Sequence, residues 1–187
     1  PSAPTVALAT DTGISASDSI TKTGTLALTG IEAGATVEYS VNGGSTWGSS
    51  FTAVEGSNTV LVRQTDVAGN TSSSGSLTFT LDTTLAVPTL NLTNDTGVST
   101  SDTITKDASI TFSTAAGDVT RTYSVDGGPA SGSYSAPATD GVHTVTVLDT
   151  DIAGNTASSS LTFTLDKLAP SAPTVALATD TGISASD

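Results

Sequence analysis

The sequence predicts an all-β chain of tandem antiparallel sandwiches arranged end to end, and three observations predict it. Apolar residues recur at every second position in short runs such as Thr144-Val145-Thr146-Val147, and long stretches of helix formers at 3.6-residue spacing are missing. Clusters of Gly, Asn, Asp and Ser punctuate those runs. The whole pattern then repeats along the chain.

The repeat sets the domain organisation. At an offset of 84 residues, PTVALATDTGISASDSITK (Pro4 to Lys22) aligns with PTLNLTNDTGVSTSDTITK (Pro88 to Lys106), EYSVNGG with TYSVDGG, and SLTFTLD with a second SLTFTLD. At an offset of 85, TDVAGN (Thr65 to Asn70) falls on TDIAGN (Thr150 to Asn155). Two modules follow, 1–86 and 87–169, and 170–187 repeats the first eighteen residues as the first strand and loop of a third. A chain that starts and stops inside a repeat reads as a fragment of a longer one.

Aligning the copies places the strands better than either copy alone. Val145 and Val147 alternate with threonine, which turns their counterparts Val60 and Val62 inward and Leu61 outward. The same reasoning puts Val6, Leu8, Ile20, Leu26, Leu28, Tyr39, Val41, Leu77, Phe79 and Leu81 in the first core. The second core takes Leu90, Leu92, Ile104, Ile110, Phe112, Tyr123, Val125, Leu161, Phe163 and Leu165. Asn42-Gly43 and Asp126-Gly127 each follow a strand and signal hairpins. Some seven short strands per module of about 85 residues are expected, which is an immunoglobulin-like sandwich. A core of that size supplies only about 3 to 5 kcal/mol, so something should supplement it.

Composition excludes several classes. Eighteen acidic residues against five basic ones give a net charge of −13, which repels phosphate backbones and anionic lipid; neither nucleic acid nor a membrane is an expected partner. There is no cysteine, hence no disulfide framework and no thiolate metal site or nucleophile. No enzyme is expected: no G-x-S-x-G occurs, and His143, the only histidine, aligns with Asn58 in what reads as a solvent-facing loop.

The charges that remain are not scattered. Eleven of the fifteen aspartates occupy three recurring places. The first is DTGxSxSD, with Asp11 and Asp18, Asp95 and Asp102, then Asp180 and Asp187. The second is the TDxAGN loop, with Asp66 and Asn70, then Asp151 and Asn155 beside Asp149. The third is the strand end LD, at Asp82 and Asp166. With strands running alternately up and down, DTGxSxSD and LD share the far pole of a module, and TDxAGN lies at the near pole. End-to-end stacking then brings Asp11, Asp18 and Asp82 towards Asp149, Asp151 and Asn155.

Carboxylates about 5 Å apart repel by roughly 3 kcal/mol per pair at an effective dielectric near 20, so such a cluster calls for a cation. Oxygen ligands without His or Cys select a hard ion, and calcium tolerates irregular geometry better than magnesium does. The alternative is turn chemistry, since Asp commonly caps backbone N–H groups. Repeated use of the charged residue where Ser or Asn would cap as well favours the metal.

The motifs DTGISASDSIT, TDVAGN and LDTTLAVP, with TDIAGN and LDKLAPSAP in the second copy, resemble the bacterial Ig-like repeats of giant surface adhesins, including type I secreted RTX adhesins. The resemblance spans both modules. It implies calcium at module junctions, display outside the cell on the bacterial surface, and a spacer role that carries a binding domain outwards in attachment or biofilm formation. Module 1 departs at Gln64, where module 2 has Asp149, so its near pole is expected to be one carboxylate poorer.

The competing expectation is a ligand-binding Ig-like module that holds a glycan or a host protein, with Trp47, the sole tryptophan, as the contact. Near-identical copies favour the spacer. Residues 170–187, a first strand without the rest of its sandwich, could also pair with another molecule through Val175 and Leu177.

Overall fold

The computed structural model describes residues 1–179 and residue 183; the third-copy aspartates Asp180 and Asp187 lie outside the described residues. Two all-β modules follow one another. Module 1 contains β1 (Thr5–Leu8), β2 (Ile20–Thr21), β3 (Leu26–Thr29), β4 (Thr36–Ser40), β5 (Gly56–Thr65) and β6 (Gly75–Leu81). Module 2 repeats the series as β7 (Leu90–Leu92), β8 (Ile104–Thr105), β9 (Ile110–Phe112), β10 (Thr120–Val125), β11 (Gly141–Thr150) and β12 (Thr156–Leu165). Each module thus has six strands where seven were expected. No helix long and apolar enough to cross a membrane occurs among the described residues.

Each sandwich packs a two-stranded sheet on a four-stranded one. In module 1 these are β1-β3 and β2-β6-β5-β4; in module 2 they are β7-β9 and β10-β11-β12-β8. The pairing is antiparallel except at β2 with β6 and β8 with β12, which are parallel. The loop after β1 swings the chain across, so that Ile20 and Thr21 run alongside Thr80 and Leu81 at the strand end.

The cores form where the alternation placed them. Val60, Val62, Val145 and Val147 have no exposed surface, and Phe79 and Phe163 are buried. Leu26, Leu28, Tyr39, Phe51 and Leu77 close the first core, and Leu92, Ile110, Val125, Tyr134 and Leu161 the second. Module 2 adds an aromatic cluster in which Phe112 meets Tyr123 and Tyr134 edge-on, with ring centroids at 5.0 and 5.4 Å.

Three core expectations are overturned. Val41 is 69% exposed, because β4 stops at Ser40 and the Asn42-Gly43 turn begins there. Ile104 is 50% exposed while its neighbour Thr105 is buried; Ile20 is likewise only half-buried beside a buried Thr21. The inward position goes to threonine because a hydroxyl is needed there. Thr21 Oγ1 donates to the Thr10 carbonyl and exchanges a 3.1 Å bond with Thr12 Oγ1, and Thr105 does the same for Asn94 and Thr96. Alternation counts apolarity and cannot see that a buried loop carbonyl requires a donor.

The turn signals act over a shorter range than a full hairpin. After Asn42-Gly43 the chain returns only far enough to bridge Tyr39 with Gly48, and after Asp126-Gly127 it bridges Tyr123 with Ser131. Asp126 itself adopts φ +53°, the left-handed conformation that such a turn demands.

Candidate functional site: the junction between modules

The three aspartate motifs build the two poles of each module, and the junction is where unlike poles meet. The β5–β6 loop, TDVAGN, is folded by its own side chains. Asp66 accepts from the Asn70 backbone N–H at 2.8 Å and from Asn70 Nδ2 at 2.9 Å, and these bonds hold its carboxyl below the usual range. The TDIAGN loop of module 2 repeats the two bonds through Asp151 and Asn155 at the same distances. Glycine is required at the fifth loop position in both, with φ +87° at Gly69 and +88° at Gly154.

The far-pole loop is organised by its first aspartate. Asp11 Oδ2 accepts from the Ser19 N–H at 2.9 Å, and Asp95 Oδ2 from the Thr103 N–H at 3.0 Å. Ser19 and Thr103 take φ near +60°, paid back by these bonds. Asp18 and Asp102 cap the N–H two residues on, as do Asp82 and Asp166. The turn-capping role is therefore real at every motif. What capping leaves over is specific: Asp11 Oδ1 and Asp95 Oδ1 are buried and have no hydrogen-bond partner.

Between the modules the poles meet as the stacking argument expects. Thr12 Oγ1 donates to the Ala153 carbonyl at 2.8 Å, the Ile14 N–H to the Ile152 carbonyl at 3.2 Å, and Lys22 Nζ to the Gly154 carbonyl at 2.7 Å. From the other side, Asn155 Nδ2 donates to the Asp82 carbonyl at 2.9 Å. The backbones nearly touch. A Cβ built on Gly13 would lie 2.0 Å from the Ile152 oxygen, and Gly13 takes φ +106°. Ala153 is wholly buried by this approach.

The loops converge, but the carboxylates do so only in part. Among the described residues, no three His, Cys, Asp or Glu side chains gather closely enough to hold a metal ion by themselves. Asp82, Asp149 and Asp151 line one groove of about 290 Å³ under the linker residues Leu85 to Pro88. Asp149 does not face it as a free ligand. Its two oxygens are held by Arg121 Nε and Nη2, both at 2.7 Å, with the two side chains 10% and 4% exposed, and the pairing raises the arginine further.

The partner of that pair explains the departure at Gln64. Arg121 sits opposite Asp149 in the β10–β11 ladder, and the same ladder position in module 1 pairs Val37 with Gln64. Gln64 Nε2 donates to the Ser2 and Gly30 carbonyls, and its Oε1 accepts from the Glu32 N–H, all at 2.8 Å. Arg121 likewise donates to the Ser113 carbonyl. Both arrangements tie the strand ladder to the loop that precedes it. Where module 2 has a buried ion pair, module 1 thus has a neutral glutamine bonded to backbone groups beside a valine.

Packing places two further residues. His143 is not a loop residue. It lies in β11, 7% exposed, with Nδ1 2.8 Å from Asp126 Oδ2 and Nε2 2.8 Å from the Thr139 carbonyl. Asn58 ties Val54 and Gly56 in the matching loop, so the two residues share a structural task. Trp47 is half-buried, donates Nε1 to the Gly44 carbonyl at 3.0 Å, and lies under the Arg63 guanidinium at 4.1 Å. Its ring is occupied by its own module. Residues 170–179 pair with no strand, and Val175 and Leu177 stand 93% and 76% exposed.

The junction residues that sequence reasoning missed are Thr12, Thr21 and Lys22. A signal existed: Ile-Thr-Lys recurs intact at Ile104 to Lys106. A pattern of carboxylate ligands does not reach it, because neither Thr nor Lys is a metal ligand of the expected kind.

Fold and junction together define tandem Ig-like sandwich modules joined pole to pole. The bacterial Ig-like domain family matches twice, over residues 1–83 and 84–167, and the chain belongs to that family. Among solved structures, the fibronectin(III)-like modules of Clostridium thermocellum CbhA are similar over 87% of this chain and 93% of theirs, at 16% identity and a TM-score of 0.39. No curated protein matches the sequence.

Proposed function

We propose that this chain is a run of extender modules from a large bacterial surface adhesin, holding a binding domain away from the cell, with calcium stiffening the junctions. Domains of this family are common in extracellular surface proteins. The observation that carries the spacer reading is the direct seam between poles, in which four hydrogen bonds and a glycine-to-backbone contact fix one module on the next. A module whose purpose is a binding loop has no need of so specific an end.

The calcium part rests on Asp11 and Asp95, whose buried Oδ1 atoms lack any partner; a hard cation is the chemistry that satisfies a carboxylate oxygen out of reach of water. At the junction the residues that would hold it are Asp11, Asp18, Asp82 and Asp151, with the Asn155 amide oxygen. Loop carbonyls and hydroxyls would have to complete the shell, since the carboxylates alone are too few. The ion would supply charge neutralisation and a clamp between poles. Binding the folded junction and not the unfolded chain adds roughly 2.7 kcal/mol when calcium is about a hundredfold above its dissociation constant. A cysteine-free, acidic chain suits export in an unfolded state and folding where calcium is plentiful.

The test is small-angle scattering and thermal melting of the intact chain in calcium and in chelator, for the native sequence and for Asp11→Asn. Calcium is expected to raise the melting temperature and narrow the distribution of maximum dimensions, and Asp11→Asn to blunt both. A chain whose melting and dimensions ignore calcium would sink the metal part. One that bends freely at 83–87 under every condition would sink the spacer.

A further inference from the structure

Module 1 sets two strands against four, and the place beside β3 where a further strand belongs is open. Because β1 packs against β6, β3 comes over β5, and β4 extends beyond it; among the described residues no strand lies above β4. Val37 and Tyr39, on the core face of β4, are accordingly only half-buried. Residues 49–55 cross this space without forming a strand and press on the chain just before β3, where a Cβ built on Gly24 would lie 2.3 Å from that of Ala53. A groove of about 430 Å³ remains between Leu26, Tyr39, Phe51, Thr52 and Ala53.

The register shows which backbone groups face the groove. The Ala9 N–H donates to the Thr25 carbonyl, so the bonded pairs of this ladder are Ala9 with Thr25, Ala7 with Ala27 and Thr5 with Thr29. The N–H and C=O of Leu26 and Leu28 therefore point away from β1, and among the described residues no hydrogen bond reaches these four groups. Leu26-Ala27-Leu28-Thr29 also carries no charge and no proline, the usual guards of an open edge. The β4 edge, by contrast, is closed at Tyr39, which exchanges two bonds with Gly48. Module 2 has the same parity at Ile110 and Phe112, but there Tyr134, three residues past the Ser131 bridge, ties the crossing segment down by donating its hydroxyl to the Ala108 carbonyl. Phe51, three residues past the Gly48 bridge, has no hydroxyl to do this.

We infer that the β3 edge of module 1 accepts a single extended strand of a partner protein, one with apolar side chains at alternate positions. Two donors and two acceptors on alternate residues, about 6.6 Å apart along the strand, are the complement of a peptide backbone and of no smaller ligand. The groove takes the strand's inward side chains against Leu26, Tyr39 and Phe51. The occupant is a lone strand and not the β3 edge of a second copy, because a second sandwich would bring its own β5 beneath its β3, where β4 already lies. None of Leu26 to Thr29 takes part in the seam between modules, and the site does not depend on the calcium reading. The contact is short and uncharged, so it is weak.

The test is amide NMR of the intact chain titrated to about 1 mM with the peptide acetyl-Lys-Thr-Val-Thr-Val-Thr-Lys-amide. The control is the same peptide N-methylated at both valines, which keeps side chains and charge and removes the donors that face β3. The Leu26 and Leu28 amides are expected to shift and their hydrogen exchange to slow at least about 10-fold at saturation, with no response to the methylated peptide. Thr52→Trp, an exposed position on the groove wall, is expected to weaken binding at least about 5-fold by filling the groove. Unchanged Leu26 and Leu28 amides at the highest concentration overturn the inference. So does an equal response to the methylated peptide, binding that Thr52→Trp leaves as it was, or loss of protection at Ala7 and Ala27, which would mean that the peptide displaces β1.

Discussion

Arg121 and Asp149 form a two-point ion pair at 2.7 Å that is almost wholly enclosed, at the place where module 1 carries Val37 and Gln64. A carboxylate expected from sequence to serve a cation between modules is instead neutralised within its own module.

Removing one partner of such a pair leaves a buried charge without compensation, typically at a cost of about 3 to 5 kcal/mol. Arg121→Ala is expected to destabilise module 2 by that order, measured by chemical denaturation. The double substitution Arg121→Val with Asp149→Gln, which installs the arrangement of module 1, should recover most of the loss. Failure of the double variant to recover would mean that the two ladders are not interchangeable.

The junction depends on glycine at residue 13. A side chain there meets the Ile152 oxygen and must also hold a positive φ. Gly13→Val should therefore separate the poles while both sandwiches keep their own cores. The expected readout is a broader distribution of dimensions by small-angle scattering with little change in circular dichroism. An unaltered scattering profile would contradict the close approach.

Asn155 and Asn70 make the same bonds within their loops, and only Asn155 reaches across to the Asp82 carbonyl. Asn155→Ala should thus cost more than Asn70→Ala by about one neutral hydrogen bond, 0.5 to 1.5 kcal/mol. Equal losses would assign no stability to the cross-module bond.

Both ring nitrogens of His143 face acceptors, a carboxylate and a carbonyl, an arrangement that favours the imidazolium over the neutral ring. The Asp126 bond is the main cause that raises its pKa above 6.5, with the Thr139 carbonyl second, against burial and the Lys167 charge. Asp126 is lowered from 3.8, chiefly by the same bond and then by the Thr144 N–H. A raised folded pKa means that the histidine's contribution is full below 6.5 and is lost as pH climbs through the higher folded value. The aspartate's contribution is full above 3.8 and is lost as pH falls through its depressed value. Module 2 should therefore be most stable between roughly pH 4 and 6.5 and soften as pH climbs beyond 6.5 through the raised folded value, with the alkaline slope absent in His143→Asn. A melting temperature that does not fall over that alkaline range would refute the pairing.

Much of this architecture was legible in the sequence. The period of two in Val60-Leu61-Val62 and Val145-Thr146-Val147 found the core strands, because a strand's faces alternate whatever its neighbours are. The offset of 84 found the modules, and the order of strands in each was enough to bring DTGIS against TDIAGN. Where the reading failed, the reason is the same each time. Thr21 is buried in place of Ile20, His143 is buried in β11, and Asp149 turns to Arg121, since each answers a partner distant in the chain.

The sequence by itself determined the all-β class, the repeat, the inward valines and the meeting of unlike poles, because these follow from local periodicity and from repetition. Only the tertiary structure decided how each aspartate is used. Capping, ion pairing and an unpartnered buried oxygen are identical as letters, and they differ only in which donor stands within about 3 Å. Asp151, Asp149 and Asp11 are one residue type in three such surroundings, and the last alone is left with an oxygen to fill.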